Sequence, residues 1–350
     1  MKTYNFNAKI ITPVHIGSGN FLSPDSPLLE YKNGKFVIKN TTYVSNDDPE
    51  FIMEHIHTNG RAFIPGSSIK GALRTAYLYK FLKSPFGKKQ LIKWLKKLQT
   101  VLRNVDEDSS KDEKKKADKA IMKAYNDLID SKCFGEAKDY KLWNNLKIND
   151  SKPFPDGSTA VYETRRFFLE SGKDGIPVFL EALLPTQTFD FKIKYEPYDN
   201  KYAGFHIIGR NMDDAFGDKA RLKRLINDFI RDLVQYERKV LDYDEVSIHD
   251  VFDEYRNFLD EISEGLNNGY SYLRLGQGKM IYYQTIGMAI YNMKPEENFD
   301  EETITNAWYD YLYFLRKFKD FGENEPDFFP KTRKLTYKPY NIPLGWIKLN

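Results

Sequence analysis

The chain has 350 residues, 41% of them hydrophobic, and its 53 basic and 50 acidic side chains leave a formal net charge of +3. That is enough apolar content for an ordinary globular protein with a sizeable core, more readily two domains than one. The near-neutral balance leaves a nucleic-acid partner to be decided by local charge, while a single cysteine, Cys133, excludes an intramolecular disulfide and a cysteine-built zinc site.

The N-terminal run "MKTYNFNAKIITPVHIGSGN" alternates polar and apolar residues as a strand does, over Tyr4 to Ile11, and lacks the apolar core of a signal peptide. No apolar run approaches membrane-spanning length, so a cytoplasmic location without membrane contact is expected. The strand ends in a tight turn that carries His15, Gly17 and Gly19. His15 can act as a general base, contact a ribose, or simply pin the turn. Residues 21 to 60 read as short strands and turns. His55 and His57 stand two apart, a strand-type pairing without a third metal ligand, and no cofactor is called for.

"FIPGSSIKGALRTA" then stops an extended segment and starts a helix that Ser67 or Ser68 can cap. Ile69, Leu73, Ala76 and Tyr77 share one face of it, and Lys70 and Arg74 another. Unpaired N–H groups at a helix start favour an anion, so Gly66, Ser67, Ser68, Lys70 and Arg74 can hold a phosphate. The stretch lacks the "GxxxxGK[ST]" spacing of a nucleotide-hydrolysing loop, and a capped helix with a solvated basic face explains the same residues.

Residues 85 to about 140 read as a helical insertion. Leu91, Trp94, Leu95, Leu98 and Leu102 form its apolar stripe among Lys89, Lys93, Lys96 and Lys97, and a mixed charge run follows. Cys133, within this stretch, is expected to be a half-buried free thiol. From Ser158 the period becomes two. "STAVYETRRFFLE", "GIPVFLEALL" and "TFDFKIKYEP" predict three strands in an antiparallel meander, with Arg165 and Arg166 on opposite faces of the first. Two core-facing helices follow, one striped by Leu222, Leu225, Ile226, Phe229, Ile230, Leu233 and Val234, the other by Ile248, Val251, Phe252, Tyr255, Leu259 and Ile262. "YSYLRLGQGKMIYYQTIGMAIYN" reads as strand, glycine loop and helix. Its Arg274, Gly276, Gly278 and Lys279 make a second corner that fits either a phosphate or a plain tight turn. The chain ends in a predicted strand.

Taken together and in this order, "ITPVHIGSGN", "FIPGSSIKGALRTA", "LKINDSKPF", "LEALLPTQTF", "LRLGQGKMIYYQTIG" and "PLGWIKLN" resemble the RAMP superfamily of CRISPR proteins, and more narrowly its large subunit in the type III-A (Csm) effector complex. The resemblance covers nearly the whole length, least well at 85 to 140, and the second loop lacks the longer glycine run of many members.

The resemblance implies an α+β fold of two tandem ferredoxin-like (RRM-like) domains with antiparallel sheets. The first spans 1–200 with the helical insertion, and the second spans 201–350 with the glycine loop. It implies a non-catalytic subunit that binds guide RNA (crRNA), caps its 3′ end and supports its maturation and complex assembly in antiviral defence. The RNA-gripping candidates are then His15, Gly17, Gly19, Gly66, Ser67, Ser68, Lys70, Arg74, Arg165, Arg274, Gly276, Gly278 and Lys279, with no catalytic or metal-binding residue. Partners are crRNA, other RAMP subunits of the complex and host nucleases that trim crRNA. Two rival readings stay open: a metal-independent endoribonuclease using His15 with Lys70, and an interaction cap that recruits trimming nucleases through the basic helix at 88 to 103.

Overall fold

A computed structural model describes the chain except for residues 107, 138–139, 200–202, 278–285, 296–298 and 318–329. Ten strands form two five-stranded sheets. Numbering only these, they are β1 (Lys2–Ile10), β2 (Gly17–Phe21), β3 (Ile52–His55), β4 (Leu146–Ile148), β5 (Thr159–Phe168), β6 (Val178–Leu183), β7 (Thr188–Tyr195), β8 (Ser271–Arg274), β9 (Thr332–Thr336) and β10 (Trp346–Leu349). The longer helices are α1 (Gly66–Lys83), α2 (Pro85–Leu102), α3 (Lys111–Asn126), α4 (His206–Phe216), α5 (Lys219–Leu241), α6 (Asp253–Asn267) and α7 (Glu301–Leu315).

The first sheet runs β4-β7-β1-β10-β8 and is antiparallel throughout. Strand β4 returns parallel to β1 with β7 between them, a split βαβ arrangement. The second sheet runs β9-β5-β6-β3-β2, and its β3–β6 pair is parallel, a departure from the wholly antiparallel sheets expected. Both sheets take strands from either side of residue 200. Among the described residues, the C-terminal strands build no sheet of their own: β8 and β10 extend the first sheet, and β9 extends the second.

The predicted meander divides for a local reason. β5 and β6 pair as expected, but the turn after β6 is captured by the end of β1, where Ile10 N–H donates to the Gln187 carbonyl and Thr186 N–H to that of Ile10. That clamp delivers β7 to the first sheet, where it pairs with β1 from Lys2↔Tyr195 to Lys9↔Thr188.

The alternation read in β1 and β7 buries Phe6, Ala8, Ile10, Phe189, Phe191 and Ile193 beneath helices, in a core that also takes in α1, α2 and α5. The helical insertion is part of this core. Its predicted stripe is buried, α2 packs along α1 and α7, and Trp94 meets Tyr311 with ring centroids 5.9 Å apart. Removing residues 88 to 132 would therefore open the core. Two expectations change within the helices and turns. Cys133 is fully buried, and burial pushes its thiol well above the usual range. Ile248 is 72% exposed and lies outside the helical stripe, because Asp250–Phe252 is a 3-10 turn and the α-helix begins only at Asp253.

Candidate nucleic-acid interface

The face of the first sheet opposite the helices is polar and basic. Register fixes which residues share it. Lys147 of β4 stands beside Lys194 of β7, which stands beside Thr3 of β1; Lys192 faces Asn5; Asp190 faces Asn7; and Lys9 stands between Thr188 and Lys348 of β10. The face therefore carries five lysines, Lys9, Lys147, Lys192, Lys194 and Lys348, against one aspartate, Asp190. That aspartate accepts a hydrogen bond from Asn7 Nδ2 at 2.9 Å. Among the described residues, Lys9, Lys147, Lys192 and Lys194 have no anionic partner. Lys348 lies over the exposed Tyr270 ring, 3.1 Å from its centroid. At the β8–β10 end α6 closes over the sheet, with Phe258 against Trp346, so β4, β7 and β1 remain open. Outward positions on these three strands hold Thr, Asn, Asp and Lys but no aromatic residue, a set that meets phosphates and offers bases nothing to stack on.

Of the predicted candidates, Lys70 of α1 comes near the Lys147 end of this surface. It lies at the β4 edge, 5.6 Å above the Trp143 ring, and its pKa is lowered by burial and then by the Lys147 charge. Arg74 shares its helix face but is committed elsewhere, stacked 4.5 Å from Phe134 and paired with Asp130 at 3.2 Å.

The helix corner is occupied by the protein itself. The N-cap is Pro65, without a side-chain cap from Ser67 or Ser68, and Gly66 N–H donates to Asp150 Oδ1 at 2.7 Å. A carboxylate already holds the place a phosphate would take. Gly66 is required by packing, since a Cβ there would lie 2.2 Å from the Ile148 carbonyl oxygen. Ser67 is exposed and Ser68 half-buried.

His15 is 1% exposed. Its Nδ1–H donates to the Glu181 carbonyl at 2.6 Å, its Nε2 is buried without a partner, and burial lowers its pKa, so the ring is not presented to a bound strand. Gly17 lies beneath that ring, and Gly19, at φ +93, borders open space. The second corner folds onto the first. Gly276, at φ +67, sits where a Cβ would come within 1.9 Å of the His15 carbonyl oxygen, and Gln277 N–H donates to that oxygen at 2.8 Å.

Arg274 is buried and donates from Nε to the Leu344 carbonyl at 2.9 Å, so it fastens the C-terminal loop. Arg165 is held by Glu163 at 2.6 Å and by Asp174, and it stacks 3.7 Å from Tyr337; Arg166 is the exposed member of the pair. Gly278 and Lys279 lie outside the described residues. Gly276→Ala meets both a positive φ and a backbone oxygen, so it is expected to destabilise the fold by about 2 kcal/mol or more, read as a shifted urea midpoint.

His57 is the accessible histidine of this region. Its Nε2 lies 3.2 Å from Glu181 Oε1, and burial raises the Glu181 pKa against the opposing pull of His57. No group of metal-ligating side chains forms among the described residues. Nor does any described helix have the length and apolarity to cross a membrane.

The lysines of the open face were missed as candidates, although half of the signal was in plain view. In "TFDFKIKYEP", Lys192 and Lys194 alternate with Phe189, Phe191 and Ile193, which places them on the face away from the core.

A family model described as the RAMP superfamily matches residues 7–280. The CRISPR system Cms protein Csm5 of Methanocaldococcus jannaschii is 26% identical over 326 residues, covering 85% of this chain; the chain spans 65% of the length of that relative. Two solved structures share the fold. One is a chain of the cryo-EM Csm–crRNA–target RNA ternary complex of a type III-A CRISPR-Cas system, with a TM-score of 0.65, 21% identity and full coverage of both chains. The other is the crystal structure of T. onnurineus Csm5, with a TM-score of 0.55, 18% identity and coverage of 97% of this chain and 99% of that one.

Proposed function

Because the chain belongs to the RAMP superfamily, we propose that it is a non-catalytic crRNA-binding subunit of a type III-A CRISPR (Csm) effector complex, which holds the 3′ end of the crRNA and contacts the neighbouring subunits. In that role it supports crRNA maturation, with host trimming nucleases as transient partners. The observation that carries this reading is the open lysine face of β4, β7 and β1. Unpaired ammonium groups without stacking aromatics favour a phosphate backbone whatever its sequence, as a subunit that must accept any guide requires. The burial of His15 weighs against the endoribonuclease reading built on that residue.

The test is a salt series with the purified chain and end-labelled single-stranded RNA, with and without chelator, followed by shift and by cleavage. Lys147→Ala, Lys192→Ala and Lys194→Ala combined should lower the slope of log K against log salt by about 2, at ~0.7 per phosphate contact on a single strand. The RNA should remain uncut. An unchanged slope would remove the sheet face from the reading, and chelator-resistant cutting that survives purification would replace a binding subunit with a nuclease.

A further inference from the structure

A second concentration of unpaired positive charge lies away from the sheet, within the helical layer. A cavity of about 480 Å³ opens between α2, α3 and the π-helical turn Asp127–Cys133. Lys93 and Lys97 of α2, Lys123 of α3 and Lys132 of the turn all line it. Asp127 is the one acidic side chain of the lining, and none of the four lysines forms an ion pair among the described residues.

Lys93 and Lys97 stand four apart on one helix, a like-charge placement that weakens the helix unless an anion sits between them. The inner wall is apolar, made by Trp94, Ala124 and Leu128. Trp94 is 4% exposed, and its indole N–H is buried with no hydrogen-bond partner. Such a donor is costly to leave unpaired. Four free ammonium groups beside an apolar wall suit a ligand that is anionic at one end and flat and apolar at the other.

We propose that this cavity binds a nucleotide, with its phosphate among Lys93, Lys97, Lys123 and Lys132 and its base against the Trp94 wall. The nucleotide is either free or part of an RNA strand that reaches this surface. The site is independent of the lysine face on the sheet.

Calorimetric titration with AMP and with a decanucleotide RNA separates the two sources. The RNA arm uses Lys192→Glu/Lys194→Glu protein, so that the sheet face does not contribute. Binding of AMP that falls about tenfold or more in Lys97→Glu/Lys123→Glu identifies a free-nucleotide site. Binding of RNA alone, with the same loss, identifies a strand contact. Lys97→Arg/Lys123→Arg should retain binding in either case, which separates lost charge from lost structure. The proposal is overturned if neither ligand binds, if the charge reversal leaves binding unchanged, or if an oligoglutamate peptide binds where AMP and RNA do not.

Discussion

Replacing Glu237 by Gln is expected to lower the free energy of unfolding by about 3–5 kcal/mol, the largest loss predicted for a single side chain here. Glu237 of α5 and Arg333 of β9 are 0% and 1% exposed. They form a two-pronged pair, Nε to Oε2 at 2.9 Å and Nη2 to Oε1 at 3.4 Å. Tyr255 adds its hydroxyl to Oε2 at 3.0 Å, and the Arg333 Nη1–H groups reach the Pro330 and Thr332 carbonyls. Every polar atom of the pair is used, so removing the carboxylate charge strands a guanidinium in the core.

The pair itself adds little net stability, because two charges were desolvated to make it. The double replacement Glu237→Leu with Arg333→Met should therefore be less harmful than Glu237→Gln alone. Urea unfolding at pH 7 measures both. A loss below about 1 kcal/mol for Glu237→Gln would mean that water or backbone movement relieves the stranded charge.

The second large effect is acid destabilisation. His55 is fully buried in one neutral form: Ile16 N–H donates to Nδ1 at 3.2 Å, and Nε2–H donates to the Phe63 carbonyl at 3.1 Å. Burial, followed by the nearby His15 and His57, pushes its pKa down to about 3. A depressed folded-state value means that the contribution is complete above the unfolded pKa near 6.5 and is lost as pH falls toward 3. At pH 5 that amounts to about 2 kcal/mol, at ~1.4 kcal/mol per pH unit. His15, also lowered by burial, adds in the same direction. Glu181 opposes them, because its raised pKa gives stability that grows as pH falls. His55→Gln keeps one donor and one acceptor without a titrating ring. Unfolding free energies of both proteins at pH 7.5 and pH 5 should show the wild type losing about 2 kcal/mol more than the variant; parallel losses would assign the acid sensitivity elsewhere.

Periodicity alone reached most of the elements. The period-two runs gave β1, β5, β6 and β7, and the 3.6-residue stripes gave α1, α2 and α5, because burial of one face is written directly into residue spacing. Where one residue broke a stripe, as Ile248 does, the sequence offered no warning that the helix would start later. Turn glycines were legible as glycines but not as to purpose. Gly66 and Gly276 look like gaps left for a ligand, and each is filled by the protein's own backbone, the Ile148 carbonyl for one and the His15 carbonyl for the other.

The sequence by itself therefore determined the composition of the core, the helical and extended segments, and the motif order that marks a RAMP protein. The tertiary structure decided which charges stay free. Asp150 and Asp130, remote in sequence from the groups they meet, neutralise the Gly66 corner and Arg74. Lys9, Lys147, Lys192 and Lys194, scattered over three strands, are brought side by side by register with no acid to answer them. Local spacing fixes what one segment buries, but the partner of a charge is set by which distant segment folds against it, and only an unpartnered charge stays available to an outside anion.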